Sequence, residues 1–456
     1  MTAWLKSTAL RNTVTLAGVF LTTFSALLFL VVFLADLFGM HTNPYIGIVF
    51  FLILPGFFLL GLALIPAGVW LERRRRREVA HESRWPRFDL NDPALRTATA
   101  MVFALTLANI VIVSLAAYRG IEYMDSVQFC GQVCHKVMQP EYAAYQDGAH
   151  SRVRCVECHI GSGASWFAKS KLSGTRQVFA VAFNTYSRPI PSPVPNLRPA
   201  RDTCEQCHWP DKFHGDLVRK VYEYGDDEKN TESVTTLQMH VGGGAPSEGP
   251  VSGIHWHVSG ATEIEYIATD DKRQVIPYVR VKDRDGTITE YYAEGVKPGE
   301  LAKGERRVMD CMDCHNRPAH PMETTAERAV NDAMSRGEIP ATLPFVHREA
   351  VKALQVAYPS QDAAADGIAR ALRDFYRTSY GQVAISRPQD VEKAVQATQA
   401  IYRRNAFPAM QVGFGTYPNN IGHMDSPGCF RCHDDSHVSK DGRKIGQDCD
   451  TCHSVE

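Results

Sequence analysis

Hydrophobic positions are distributed unevenly along this chain. Three long apolar runs fall before residue 120: "TLAGVFLTTFSALLFLVVFLA" from Thr15, "YIGIVFFLILPGFFLLGLALIPAGVWL" from Tyr45 and "TATAMVFALTLANIVIVSLAAY" from Thr97. About 20 apolar residues cross a hydrocarbon core of about 30 Å, so the pattern predicts three transmembrane helices within residues 1–120. The run "RRRRR" (Arg73–Arg77) follows the second, while the connection "GMHTNP" after the first has no Lys or Arg. By the positive-inside rule this predicts a cytoplasmic amino terminus, with everything after Arg119 on the opposite side of the membrane.

Beyond residue 120 the chain is polar and rich in turns. "EIEYIATDDKRQVIPYVRVKDRDGTITEYY" alternates, with Asp285-Gly286 as a hairpin turn, and predicts a small antiparallel insertion over Thr231–Tyr292. "GIHWHV" within it predicts a strand with His255 and His257 on one face; one of them is a candidate metal ligand, the other reading being a structural histidine. Residues Thr324–Arg404 carry helix-period stretches such as "DGIARALRDFYRTSY", read as a packing and spacer module. Pro-rich "SRPIPSPVPNLRPAR" (Ser187–Arg201) reads as an extended strap.

The cysteines supply the chemistry. All twelve fall in pairs: Cys130/Cys134, Cys155/Cys158, Cys204/Cys207, Cys311/Cys314, Cys429/Cys432 and Cys449/Cys452. Each pair is followed at once by a histidine: His135, His159, His208, His315, His433 and His453. Five read Cys-x-x-Cys-His, the attachment signature of c-type haem; the first has one extra residue between its cysteines. Histidine is 17 of 456 residues, so six such neighbours by chance is on the order of 10⁻⁹. Zinc knuckles need no histidine after each pair, and cysteines this close are poor disulfide partners. The pattern therefore predicts six covalent haem c groups, and the crowded motifs predict an interior built largely from porphyrin.

A low-spin haem iron takes a second axial ligand. Nine further histidines lie after residue 120, enough to meet that demand. The candidates are His320, His423 and His437 beside motifs, then His150 and His214, and His257 from the insertion. A net charge of −1 offers no basic field for nucleic acid.

"AHSRVRCVECHIGSG", "KSKLSG" and "CEQCHWPDKF", behind apolar runs, resemble the NapC/NirT family of membrane-bound multihaem quinol dehydrogenases, most strongly over Phe129–Pro210. The later part is similar to larger inner-membrane multihaem members. The resemblance implies Lys171 (with Lys169 as its rival) as ligand of the second iron and Met138 as ligand of the first. Two departures stand out. The first motif is longer by a residue in both gaps, leaving open whether His135 or Met138 is its near-side ligand. No acidic residue follows Lys171 before Tyr186, where the family often places an aspartate. Glu122, Asp125 and Glu141, with Met138, are then candidates for a quinol site.

The fold expected is mainly α with a haem-dominated core. Its parts are a three-helix anchor (1–120), a three-haem domain (121–214), a β-rich insertion (215–305) and a carboxy-terminal three-haem domain with helical spacer (306–456). The function expected is oxidation of quinol, menaquinol by preference. Electrons would pass to a periplasmic cytochrome or reductase, from a multi-pass protein of the bacterial cytoplasmic membrane, alone or in a homo-oligomer or larger complex. The alternatives are a terminal reductase of nitrite, hydroxylamine or a sulfur oxyanion, and an electron-conducting anchor subunit.

Overall fold

A computed structural model describes residues 12–37, 54–76, 91, 93–133, 135–161, 164–194, 197–245, 247, 251–260 and 262–455. They form two compact units, Met1–Val133 and Cys134–Glu456.

The first unit holds α1 (Thr13–Leu37), α2 (Leu54–Arg76) and α3 (Pro93–Met124). α1 and α2 meet through a seam of small residues. A Cβ on Gly61 would run into Thr22, and one on Gly68 into Thr15, so these positions require glycine for the backbones to approach. The Asn12 amide donates to the Gly68 carbonyl at 2.8 Å across the same seam. Among the described residues no helix is long and apolar enough to cross a membrane. This overturns the expected three-span anchor. α1 spends positions on Thr13, Thr15, Thr22, Thr23 and Ser25. In α2 the apolar stretch is interrupted by Pro66 and ends at Glu72 and the arginines. Residues 45–53 of the second run, and Arg77, lie outside the described residues. After α3, Phe129–Val133 forms a single widened turn of π type.

In the second unit, α4 (His135–Asp147), α5 (Cys155–His159), α6 (Ala164–Ala182) and α7 (Ala200–Cys204) are followed by strands. The expected small insertion is two antiparallel sheets, larger than the alternation suggested. β1 (Leu217–Tyr224) and β2 (Glu232–Met239) form one, joined by β8 (His453–Val455). The other has the order β6-β3-β4-β5-β7, from β3 (Thr262–Ala268), β4 (Tyr278–Asp283), β5 (Ile288–Tyr292), β6 (Glu305–Val308) and β7 (Val438–Ser439). Gly286 takes φ +87° in the β4–β5 hairpin, a backbone conformation that favours glycine. The two short closing strands arrive from the carboxy-terminal segment, which no local alternation could announce.

α8 (Cys311–Cys314) leads to a helical bundle of α9 (Ala326–Ser335), α10 (Val346–Leu354), α11 (Gln361–Ser379), α12 (Gly381–Ser386) and α13 (Pro388–Asn405). Thr325 and Ser360 cap α9 and α11, their hydroxyls accepting the Arg328 and Ala363 backbone N–H groups at 3.1 Å. Ala364, Ile368, Leu372 and Tyr376 recur every fourth residue of α11 and are fully buried. They pack with Val330, Leu343, Val346, Ala350 and Val395. The bundle has a side-chain core of its own, and truncating Leu372 to Ala would cost about 2–5 kcal/mol.

Candidate haem sites

Each regular motif sits on one tight turn, which explains why its spacing is short. In α5 and α8 a single helical turn brings both cysteines to one side. The His208, His315 and His433 backbone N–H groups donate back to the carbonyls of Cys204, Cys311 and Cys429 at 2.8, 2.8 and 3.1 Å. In the sixth motif Cys452 donates to Cys449 at 3.1 Å. α8 is braced further by a capping box. Asp310 accepts from the Met312 N–H (2.8 Å), and Asp313 accepts from the Asp310 N–H (2.7 Å) and the Tyr266 hydroxyl.

The third motif lies at the surface of the polypeptide. Cys207 is exposed, as is Cys449 of the sixth motif, whereas Cys204 is partly covered. The turn itself is intact, since the Cys207 backbone N–H donates to the Cys204 carbonyl at 3.1 Å. The reason lies in where that turn falls. α7 ends at Cys204, and Cys207 follows it in a surface stretch where Gln206, His208 and Trp209 are exposed too. The spacing of the motif fixes the turn but says nothing of what packs over it.

The first motif differs. Cys130 stands on the widened turn Phe129–Val133, where each turn takes about one residue more than an α-helix, the same excess its sequence carries. Cys134 lies outside the described residues, as do the side chains of His135 and Lys136.

Opposite each of the other five motif histidines stands a second imidazole. Ring centroids are 6.2 Å apart for His159 and His320, 6.1 Å for His208 and His150, and 6.4 Å for His315 and His255. His433 and His257 are 5.7 Å apart, and His453 and His423 6.2 Å. Metal–nitrogen bonds of about 2 Å on either side of one ion put two trans imidazole centroids about 6 Å apart. The hydrogen bonds agree. Nδ1 of His150, His320, His255, His257 and His433 lies 2.7–3.1 Å from a backbone carbonyl oxygen, of Pro318, Glu141, Val241, Ile254 and Gly446 respectively. That fixes the proton on Nδ1 and leaves the Nε2 lone pair for a metal. Burial holds the His159, His257, His315 and His320 imidazoles below their ordinary pKa, in the neutral form a metal needs.

The donor set fits haem, whose porphyrin supplies four nitrogens and needs two axial ligands. Among the described residues no cluster of three or more His, Cys, Asp or Glu side chains could hold an ion unaided. The cysteine sulfurs here are unreacted thiols standing in for thioethers.

Of the expected far-side ligands, His150, His257, His320 and His423 face motif histidines. His255 does too, although the sequence leaves it undecided. The segment Ile254–Val258 is a 3₁₀ turn, not the expected strand, and it sends His255 and His257 to different motifs. Nδ1 of His214 lies 2.8 Å from the Lys212 carbonyl oxygen. His437 is committed elsewhere, its Nδ1 to Asp434 (2.8 Å) and its Nε2 to the Ile276 carbonyl (2.7 Å). Lys171 lies on α6, and the imidazole facing His159 is His320. Of the quinol candidates, Glu122 pairs with Arg119 at 2.9 Å and Asp125 follows α3, both in the first unit. Met138 and Glu141 lie on α4 in the second, and Glu141 is ion-paired to Arg317 at 2.8 Å.

Residues 93–189 match the NapC/NirT cytochrome c family, N-terminal region. The chain is 44% identical over 418 residues to the cytochrome c-type protein ImcH of Geobacter sulfurreducens, covering 91% of this chain and 82% of that protein. No solved structure matches. Cytochromes of this family carry covalently bound haem c, are generally membrane-anchored, and generally interact with quinol and redox partners. With its haem-attachment turns and a relative this similar along most of its length, the chain is a c-type electron-transfer protein and belongs to the NapC/NirT cytochrome c family.

Proposed function

We propose that this cytochrome oxidises quinol, menaquinol by preference, and delivers the electrons to a periplasmic cytochrome or reductase. Its membrane association and periplasmic orientation follow the family. Six haem c groups are proposed, attached at Cys130/Cys134, Cys155/Cys158, Cys204/Cys207, Cys311/Cys314, Cys429/Cys432 and Cys449/Cys452. Each, when bound, supplies a one-electron ferric/ferrous couple.

The observation that carries this reading is the pairing of five motif histidines with five others. His159, His208, His315, His433 and His453 are proposed as near-side ligands, with His320, His150, His255, His257 and His423 opposite. Two imidazoles per site would occupy both faces of a haem and leave no face open to substrate. That favours electron transfer over a terminal reductase, which needs an open face. The first motif, the one with the longer spacing, is proposed as the entry point. Quinol would approach Met138, on the helix that begins at His135.

The test is reduction of the purified, haem-loaded protein by a reduced menaquinone analogue. Prompt reduction is expected. A protein reducible by dithionite but inert to the quinol would sink the dehydrogenase reading and leave an electron conductor.

A further inference from the structure

Glu141 and Arg317 form a half-hidden charged pair whose surroundings all concern one imidazole. The Arg317 guanidinium donates to the Glu141 carboxylate at 2.8 Å, and both side chains are only 12% exposed. Its Nε donates to the His320 carbonyl at 3.0 Å, and the His320 N–H returns a bond to the Arg317 carbonyl at 3.3 Å. The turn from residue 317 to 320 is thus closed from both sides. The guanidinium also stacks 4.0 Å over the Tyr417 ring, and the Tyr417 hydroxyl is anchored on the Ile190 carbonyl at 2.9 Å.

From the α4 side, the Glu141 backbone carbonyl takes the His320 Nδ1 proton at 2.9 Å. The Glu141 carboxylate lies 3.5 Å from the same nitrogen. A carbonyl alone would fix the ring. The added carboxylate places negative charge against its non-coordinating edge, in a site partly shut off from water, where charges act more strongly.

We propose that Glu141 and Arg317 are positioning residues that hold His320 against the second motif and set the reduction potential there. This rests on the reading of His320 as the partner of His159 at that site. Negative charge behind a ligand strengthens its donation and favours the oxidised iron; the guanidinium beside it offsets part of that effect. The two residues therefore pull the potential in opposite directions, although they share one ion pair.

A purely structural pair would not behave this way, since losing either half loosens the same contact. The experiment uses the full haem-loaded chain in potentiometric titration, with electron paramagnetic resonance to count bis-imidazole low-spin signals. Glu141→Gln is expected to raise one midpoint by a tenfold change in the oxidised-to-reduced ratio, about 59 mV for a one-electron couple. Arg317→Gln is expected to lower the same midpoint, and Glu141→Asp to return it toward the original value. His320→Met should delete one bis-imidazole signal. Shifts of one sign in both Gln variants, or no shift while His320→Met does delete its signal, would overturn the clamp alone. An unchanged signal count in His320→Met would overturn the ligand reading and the clamp with it.

Discussion

Asp313 is 2% exposed and supports the turn that carries Cys311 and Cys314. Its carboxylate accepts from the Tyr266 hydroxyl and from the Asp310 N–H, with Arg307 3.6 Å away. Hydrogen bonds to a charged group are worth about 1.5–3 kcal/mol each. Asp313→Ala removes two and leaves a fully buried tyrosine hydroxyl without its acceptor, so roughly 3–5 kcal/mol should be lost. Tenfold per 1.4 kcal/mol makes that about 10² to 4 × 10³ in the local opening equilibrium. Tyr266→Phe removes one bond but leaves Asp313 its backbone partner, and should cost roughly 1–2 kcal/mol. Amide hydrogen exchange across Met312–His315, read by mass spectrometry, measures both. The expected result is graded acceleration, with Tyr266→Phe at about tenfold and Asp313→Ala well beyond it. Equal effects, or no acceleration in Asp313→Ala, would refute the claim that this carboxylate organises the fourth motif.

Mass spectrometry of the denatured protein should find six covalent haems; five would remove the widened first motif from the set. Six haems bring two propionates each, about −12 in charge, so docking to an electron acceptor should weaken with added salt. Transfer rates indifferent to ionic strength would contradict that. Burial, and next the nearby Asp332, raise the Glu323 carboxyl above its ordinary pKa. Its contribution to stability is present below the unfolded carboxylate value of about 4.3 and is lost as pH rises through the raised folded value. Glu323→Gln should therefore flatten the fall in stability between acid and neutral pH in denaturant titrations; an unaltered pH profile would count against it.

The haem-attachment turns were legible because they are local: cysteines, histidine and closing hydrogen bonds all fall within one short stretch. What surrounds each turn was not, since a motif specifies its own turn and no covering element. The far-side partners were hidden too, because proximity along the chain misleads. His320 follows the fourth motif yet faces His159 of the second, and His423 precedes the fifth yet faces His453 of the sixth. His437 has the right neighbours in sequence, but a carboxylate and a carbonyl from β-rich surroundings claim both ring nitrogens. His255 was obscured by an alternating pattern read as a strand; a 3₁₀ turn separates the two histidines that a strand would have aligned. The period of α11 was plain, since burial every fourth residue needs no distant information. The apolar runs were the opposite case. Their length suggested membrane spans, while the described helices break that apolarity with hydroxyls, a proline and charged ends.

The pairing of His159 with His320 has a consequence for biogenesis. A chain emerging from its amino-terminal end offers the second attachment motif long before residue 320 exists, so capture by the opposing imidazole has to wait for the later segment. A ribosome stalled between these points would leave a nascent chain whose second motif could be loaded but not closed, exposed to peroxide and to adventitious small ligands. Quality control for such a protein has to watch for unfinished ligation as well as for exposed apolar surface.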